Sequence, residues 1–144
     1  MQFEKKLEYT LFIAWGVSFV STIGSLYFSE IMKFTPCTLC WYQRILMYPL
    51  ILILGIALTK KDYNIANYSF PIATIGFCIS LYHYATQKIS FISETTPACG
   101  RIPCTAEYIN WFNFITIPFL ALIGFSIIMI CSFILLKTTM EIKK

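Results

Sequence analysis

The chain has 144 residues, of which 58% are hydrophobic and 12% charged. That length allows one domain, and that balance excludes an ordinary soluble globular protein. The net charge of +4 is carried by small lysine groups between apolar runs. There is no basic stripe, so no nucleic-acid partner is expected.

Four long runs carry no Asp, Glu, Lys or Arg: Tyr9–Phe28, Ile45–Thr59, Tyr63–Gln87 and Tyr108–Leu136. A helix needs roughly 20 apolar residues to cross a bilayer. Three runs reach that length, and the second does so if it starts near Cys40 and Arg44 snorkels to the interface. The runs are too continuous for barrel strands, and lipid admits only helices or closed barrels. An all-α polytopic membrane protein is expected, a four-helix bundle forming a single membrane domain over residues 1–144. The predicted helices cover about 9–28, 36–59, 66–87 and 114–136, with outer loops at 29–35 and 88–113.

Helix 1 follows a short charged segment. Its apolar stretch exceeds a signal-peptide h-region and no A-x-A site follows, so it is expected to stay as an anchor. Gly16, Ser21, Gly24 and Ser25 predict a packing face on it. Thr35-Pro36 is a good N-cap followed by a good first helical residue, so helix 2 is expected to begin at Pro36. Gly76 and Ser80 offer a second small-residue face, on helix 3. His83 lies one turn from the outer end of helix 3, between Tyr82 and Tyr84. The second outer loop carries Cys99 and Cys104, and a short surface helix is expected at Ala106–Phe112.

The basic residues set topology. Lys5, Lys6, Lys60, Lys61, Lys137, Lys143 and Lys144 fall on one side, seven in all. Lys33, Arg44, Lys88 and Arg101 fall on the other. Both termini are therefore expected in the cytoplasm, with the cysteine-bearing segments outside.

Of six cysteines, Cys37, Cys40, Cys99 and Cys104 fall on this outer, oxidising side, where disulfides persist. Cys78 and Cys131 lie inside helices and read as buried small apolar residues. Cys37 and Cys40 stand at C-x-x-C spacing at a helix start. A helix N-terminus favours the thiolate, the reactive form of cysteine. So small a disulfide loop adds little conformational constraint, which suits electron exchange better than scaffolding. Arg44, four residues beyond Cys40, shares its helical face. It can stabilise a thiolate, hold a carbonyl of an electron acceptor, or simply anchor the helix at the interface. Two other readings stand beside redox chemistry. The four cysteines can form a zinc site, which the oxidising side opposes, or purely structural disulfides. No metal is expected.

The segment C-T-L-C-W-Y-Q-R at Cys37–Arg44, with the pair Cys99/Cys104 and the stretch W-F-N-F-I-T-I-P-F-L-A at Trp111–Ala121, resembles the disulfide bond formation protein B family. The likeness extends over nearly the whole chain and is greatest to the short Bacillus-type members. The resemblance implies a membrane thiol:quinone oxidoreductase of the bacterial cell membrane that supports disulfide bond formation. It would reoxidise an extracytoplasmic thioredoxin-fold thiol oxidase, a DsbA- or BdbD-like partner, and pass electrons to a membrane quinone, menaquinone rather than ubiquinone. It implies that Cys99 and Cys104 form the disulfide attacked by the partner, with Cys99 taking the mixed disulfide, and that electrons then move to Cys37 and Cys40. Cys40 would meet the quinone ring, Arg44 a quinone oxygen, and His83 the quinone side of the site. Only four residues separate Cys99 from Cys104, fewer than in longer members of that family. The alternatives are a vitamin K epoxide reductase-like enzyme, whose C-x-x-C pair comes late in the chain, and a non-enzymatic four-helix membrane protein with structural disulfides.

Overall fold

The computed structural model describes residues 2–31, 33, 38–88 and 117–144. These form four long helices: α1 (Gln2–Glu30), α2 (Thr38–Lys60), α3 (Ala66–Lys88) and α4 (Ile117–Lys143). A short 3-10 turn at Tyr63–Ile65 joins α2 to α3. All four are long and apolar enough to cross a membrane. In the apolar window of each, only 22–33% of residues are buried in the bundle. Phe12, Val20, Leu52, Ile56 and Ile130 point outward. A soluble protein does not expose apolar surface on that scale. The bundle is built for lipid.

α1 packs on α2, α2 on α3, α3 on α4, and α4 returns to α1. The helices thus close a ring in chain order. Leu11 and Ala14 of α1, Leu50 and Leu54 of α2, Ala73 of α3, and Phe125 and Ile128 of α4 form its core. Between helices in lipid, close packing and hydrogen bonds do the work that the hydrophobic effect does in water. Gly76 lies directly beneath the Phe125 ring, which lets α3 and α4 make the most extensive contact of the ring. The Ser69 and Ser132 hydroxyls bond across the same interface at 2.9 Å.

The packing face expected on α1 differs from the one observed. A side chain at Gly16 or Gly24 would meet nothing, whereas Ser21 lies against Gly124 of α4 and Trp15 against Gly55 of α2. One small residue and one large indole make the approaches, each facing a glycine on the neighbour. Cys78 departs as well. Cys131 is buried, but Cys78 is exposed. The buried face of α3 runs through Ala66, Ser69, Ala73, Ser80 and His83. Helical periodicity turns residue 78 away from that stripe.

At one end of the bundle α2 stops abruptly. Lys61 takes a left-handed conformation, φ 53°, and the Asp62 N–H reaches back to the Ala57 carbonyl at 3.0 Å. This is a Schellman-type close. Asp62 then accepts from the Asn64 backbone N–H at 3.0 Å and caps the 3-10 turn. Glu8 pairs with Lys61 at 3.7 Å, and the Lys143 ammonium donates to Asn64 at 2.9 Å. These contacts gather the start of α1, the α2–α3 turn and the end of α4. The helical backbone runs beyond the apolar runs at both chain ends, where Gln2–Glu8 and Lys137–Lys143 carry the charges.

Because the Phe125 ring occupies the space a Cβ would need, Gly76→Ala should destabilise the α3–α4 interface by about 1–3 kcal/mol. Thermal unfolding in detergent measures this, and adding Phe125→Leu should recover part of the loss.

Candidate functional site

The buried stripe of α2 runs through Gln43, Met47, Leu50, Leu54 and Ala57. It is apolar except at its first position. The buried stripe of α3 ends near His83, which is 1% exposed. Since α2 and α3 are antiparallel neighbours, the two polar positions fall at the same end of the bundle, opposite the Asp62 turn. There they meet. The Gln43 amide nitrogen lies 3.3 Å from His83 Nδ1, and the Cys40 sulfur lies 4.0 Å from the same nitrogen. Cys40 and Gln43 are one helical turn apart on α2 and so share a face. The Thr86 hydroxyl donates to the His83 carbonyl at 2.7 Å.

Arg44 reaches the other way, to α1. Its Nε donates to the Ser25 hydroxyl at 2.8 Å and its Nη2 to the Ser25 carbonyl at 3.0 Å. The guanidinium also stands 5.8 Å from the Trp41 ring centroid. Its planar fork allows two simultaneous donations that a lysine cannot copy. α1 has no basic residue in its last turn, and Arg44 brings a cation to the Ser25 carbonyl near that end of the helix. Tyr84 packs on Phe119 of α4 with ring centroids 5.5 Å apart. Residues of all four helices therefore converge at this end.

Of the site residues expected from sequence, the structure brings Cys40 and His83 together and puts Arg44 beside them on α2. Cys37, Cys99 and Cys104 lie outside the described residues, as do Pro36, the 88–113 loop beyond Lys88 and the expected surface helix at Ala106–Phe112. Gln43 and Ser25 were not singled out as site residues from sequence. Gln43 had a legible signal: an amide inside a membrane helix, three residues after a cysteine, needs a partner. Ser25 had none, because a serine on a small-residue helix face reads as packing.

A buried imidazole within reach of a cysteine and an amide can accept or hold a proton beside sulfur chemistry. The sequence model of the family described as "Disulfide bond formation protein DsbB" matches residues 8–135. The chain belongs to the DsbB family. Among curated relatives, a "Probable disulfide formation protein C 1" of Bacillus cereus is 72% identical over 134 residues, 93% of this chain and 96% of the relative. The "Disulfide bond formation protein C" of Bacillus subtilis is 56% identical over 120 residues, 83% of this chain and 87% of the relative. A "Probable disulfide formation protein C" of Halalkalibacterium halodurans is 54% identical, over 92% of this chain and 97% of the relative. No solved structure gives a significant match. The family assignment goes to disulfide bond formation, not to vitamin K epoxide reductases, and the DsbB family is one of membrane proteins, in accord with four membrane-length helices.

Ser25→Ala removes one of the two acceptors that fix the guanidinium. It should lower stability by about 1 kcal/mol, and Arg44→Lys, which cannot span both acceptors, should cost at least as much. Melting curves of the two variants in one detergent provide the comparison.

Proposed function

We propose that this DsbB-family protein is a thiol:quinone oxidoreductase that reoxidises an extracytoplasmic thioredoxin-fold thiol oxidase. The observation that carries the reading is the meeting of Cys40 with the buried His83–Gln43 pair at one end of a membrane bundle, with the Arg44 fork anchored beside it. That end is the outer one. The lysine-rich opposite end, where Glu8–Lys61 and Lys143–Asn64 meet, faces the cytoplasm together with both termini.

The residues present suit a quinone. A quinone has an apolar ring edge and two carbonyl oxygens that accept hydrogen bonds, and a site for it wants an apolar surround with few placed donors. Arg44 and His83 would hold it, with Cys40 facing the ring. When bound, it supplies a two-electron, two-proton acceptor, and in a Bacillus-type protein menaquinone suits that role.

The chain's own residues do the rest. The Cys99–Cys104 disulfide is attacked by the reduced partner, with Cys99 taking the mixed disulfide. Thiol–disulfide exchange conserves electrons, so the partner leaves oxidised and this pair leaves reduced. Exchange with Cys37–Cys40 passes the two electrons inward. In returning to a disulfide, Cys37 and Cys40 give up two electrons and two protons. His83 Nδ1 is placed to take the proton of Cys40, and Arg44 opposes negative charge that gathers at the site.

Purified protein mixed with a reduced thioredoxin-fold protein and menaquinone should reduce the quinone. Cys40→Ser should abolish that turnover while the protein still inserts and folds. Full quinone-dependent activity in this variant would sink the assignment. Arg44→Ala should raise the apparent KM for quinone by roughly 10-fold or more, the loss expected of a charge-assisted hydrogen bond. The KM for the partner should change less than twofold by the same reasoning. An unchanged quinone KM would remove Arg44 from the quinone site.

A further inference from the structure

We propose that Gln43 is a positioning residue that sets the tautomer of His83 and thereby presents Nδ1 to Cys40 as a proton acceptor. The inference rests on the thiol:quinone reading above and gives a role to Gln43, which that reading places beside His83 without assigning one.

Gln43 takes the outermost place in a buried stripe otherwise filled by Met47, Leu50, Leu54 and Ala57. It is 6% exposed. An amide buried in that stripe costs free energy unless its polar atoms are bonded. The atom facing His83 is the amide nitrogen, Nε2, at 3.3 Å from Nδ1. An amide NH₂ carries donors only, and neutral imidazole has one donor and one acceptor nitrogen. The contact is a hydrogen bond only if Nδ1 accepts. The proton of neutral His83 therefore sits on Nε2. The Cys40 sulfur, 4.0 Å from the same Nδ1, then faces the single lone pair that also accepts from Gln43, and not a second N–H, so the Gln43 N–H gives way as the Cys40 proton arrives.

The proton step follows and balances. The Cys40 S–H bond breaks and an Nδ1–H bond forms, giving a thiolate and an imidazolium with no electron moved between them. Nδ1 is now a donor, and the Gln43 NH₂ no longer suits it. A half-turn about the terminal torsion of Gln43 exchanges its nitrogen for Oε1, which accepts from the new N–H. That torsion is soft, because sp³–sp² rotations have broad wells. The side chain keeps its shape while its polarity toward His83 inverts. Methionine at position 43 would supply neither donor nor acceptor. Glutamate would supply an acceptor alone and hold the proton on Nδ1 throughout.

His83 is the single histidine of the chain, so its ring nitrogens are assigned without ambiguity in protein labelled with ¹⁵N-histidine. The full chain, reduced with dithiothreitol in lipid nanodiscs at about pH 8, where an ordinary histidine is neutral, is the sample. The wild type should show an unprotonated, pyridine-type Nδ1 and a protonated Nε2. Gln43→Glu should move the proton to Nδ1. Gln43→Met should give a mixture of tautomers and lower turnover about 10- to 100-fold, the usual cost of losing a partner that orients a histidine, with the quinone KM within about twofold. A merely structural role would leave the ring signals unmoved. A protonated Nδ1 in the wild type overturns the proposal, whether or not the variants fold. So do ring signals that Gln43→Met leaves unchanged. Wild-type protein that lacks quinone-dependent turnover yet shows the expected spectrum refutes the oxidoreductase reading and leaves the Gln43–His83 relation standing.

Discussion

A strongly polar side chain placed in hydrocarbon must find its partner inside the protein, because lipid offers none. This constraint sorts the bundle. Outward positions along the apolar runs are mostly apolar. The amide of Gln43, the imidazole of His83 and the guanidinium of Arg44 are each engaged by a neighbour on another helix. Among the described residues the hydroxyls of Ser18, Thr22, Ser80 and Thr139 are buried without a partner, so the constraint is relaxed for small neutral groups whose isolation costs least. The larger polar groups are forced to meet at one end of the ring, at the start of α2 and near the end of α3.

Much of the architecture was legible from charge spacing alone. Four uncharged runs gave four helices, and the lysine groups at Lys5–Lys6, Lys60–Lys61 and Lys143–Lys144 gather at one end as their positions implied. The misreadings concern faces. Gly16 and Gly24 suggested close packing, yet the contacts run through Trp15 and Ser21. In a lipid-facing helix both faces can be apolar, and periodicity then says little about which one meets a neighbour. Cys78 went astray for the same reason. In the site, Cys40 and His83 could be suspected because their side chains are chemically distinctive. Ser25 could not, since its role comes from a carbonyl and a hydroxyl presented together to an arginine on a different helix.

The division of labour between Arg44 and His83 also follows from geometry. Both lie near Cys40 in sequence or space, but they are braced by different helices: Arg44 by α1 and His83 by α2. A fixed cation and a proton acceptor are thereby held apart, one unable to lose its charge and the other able to gain one. The proposed thiol chemistry next to an electron acceptor would use both properties, and a single residue could not supply them independently.

The tight Lys61–Asp62 turn has a mechanical consequence. α2 and α3 are joined there like the arms of tweezers, and further tied by Glu8–Lys61 and Lys143–Asn64. Cys40 lies about 30 Å along α2 from that joint, at about 1.5 Å per residue. One degree of tilt at the joint moves the cysteine end by about 0.5 Å on the same scale. The 4.0 Å between sulfur and Nδ1 is thus about one degree of helix motion from a close hydrogen bond. Anything that flexes the arms slightly at that end therefore changes the spacing between Cys40 and His83.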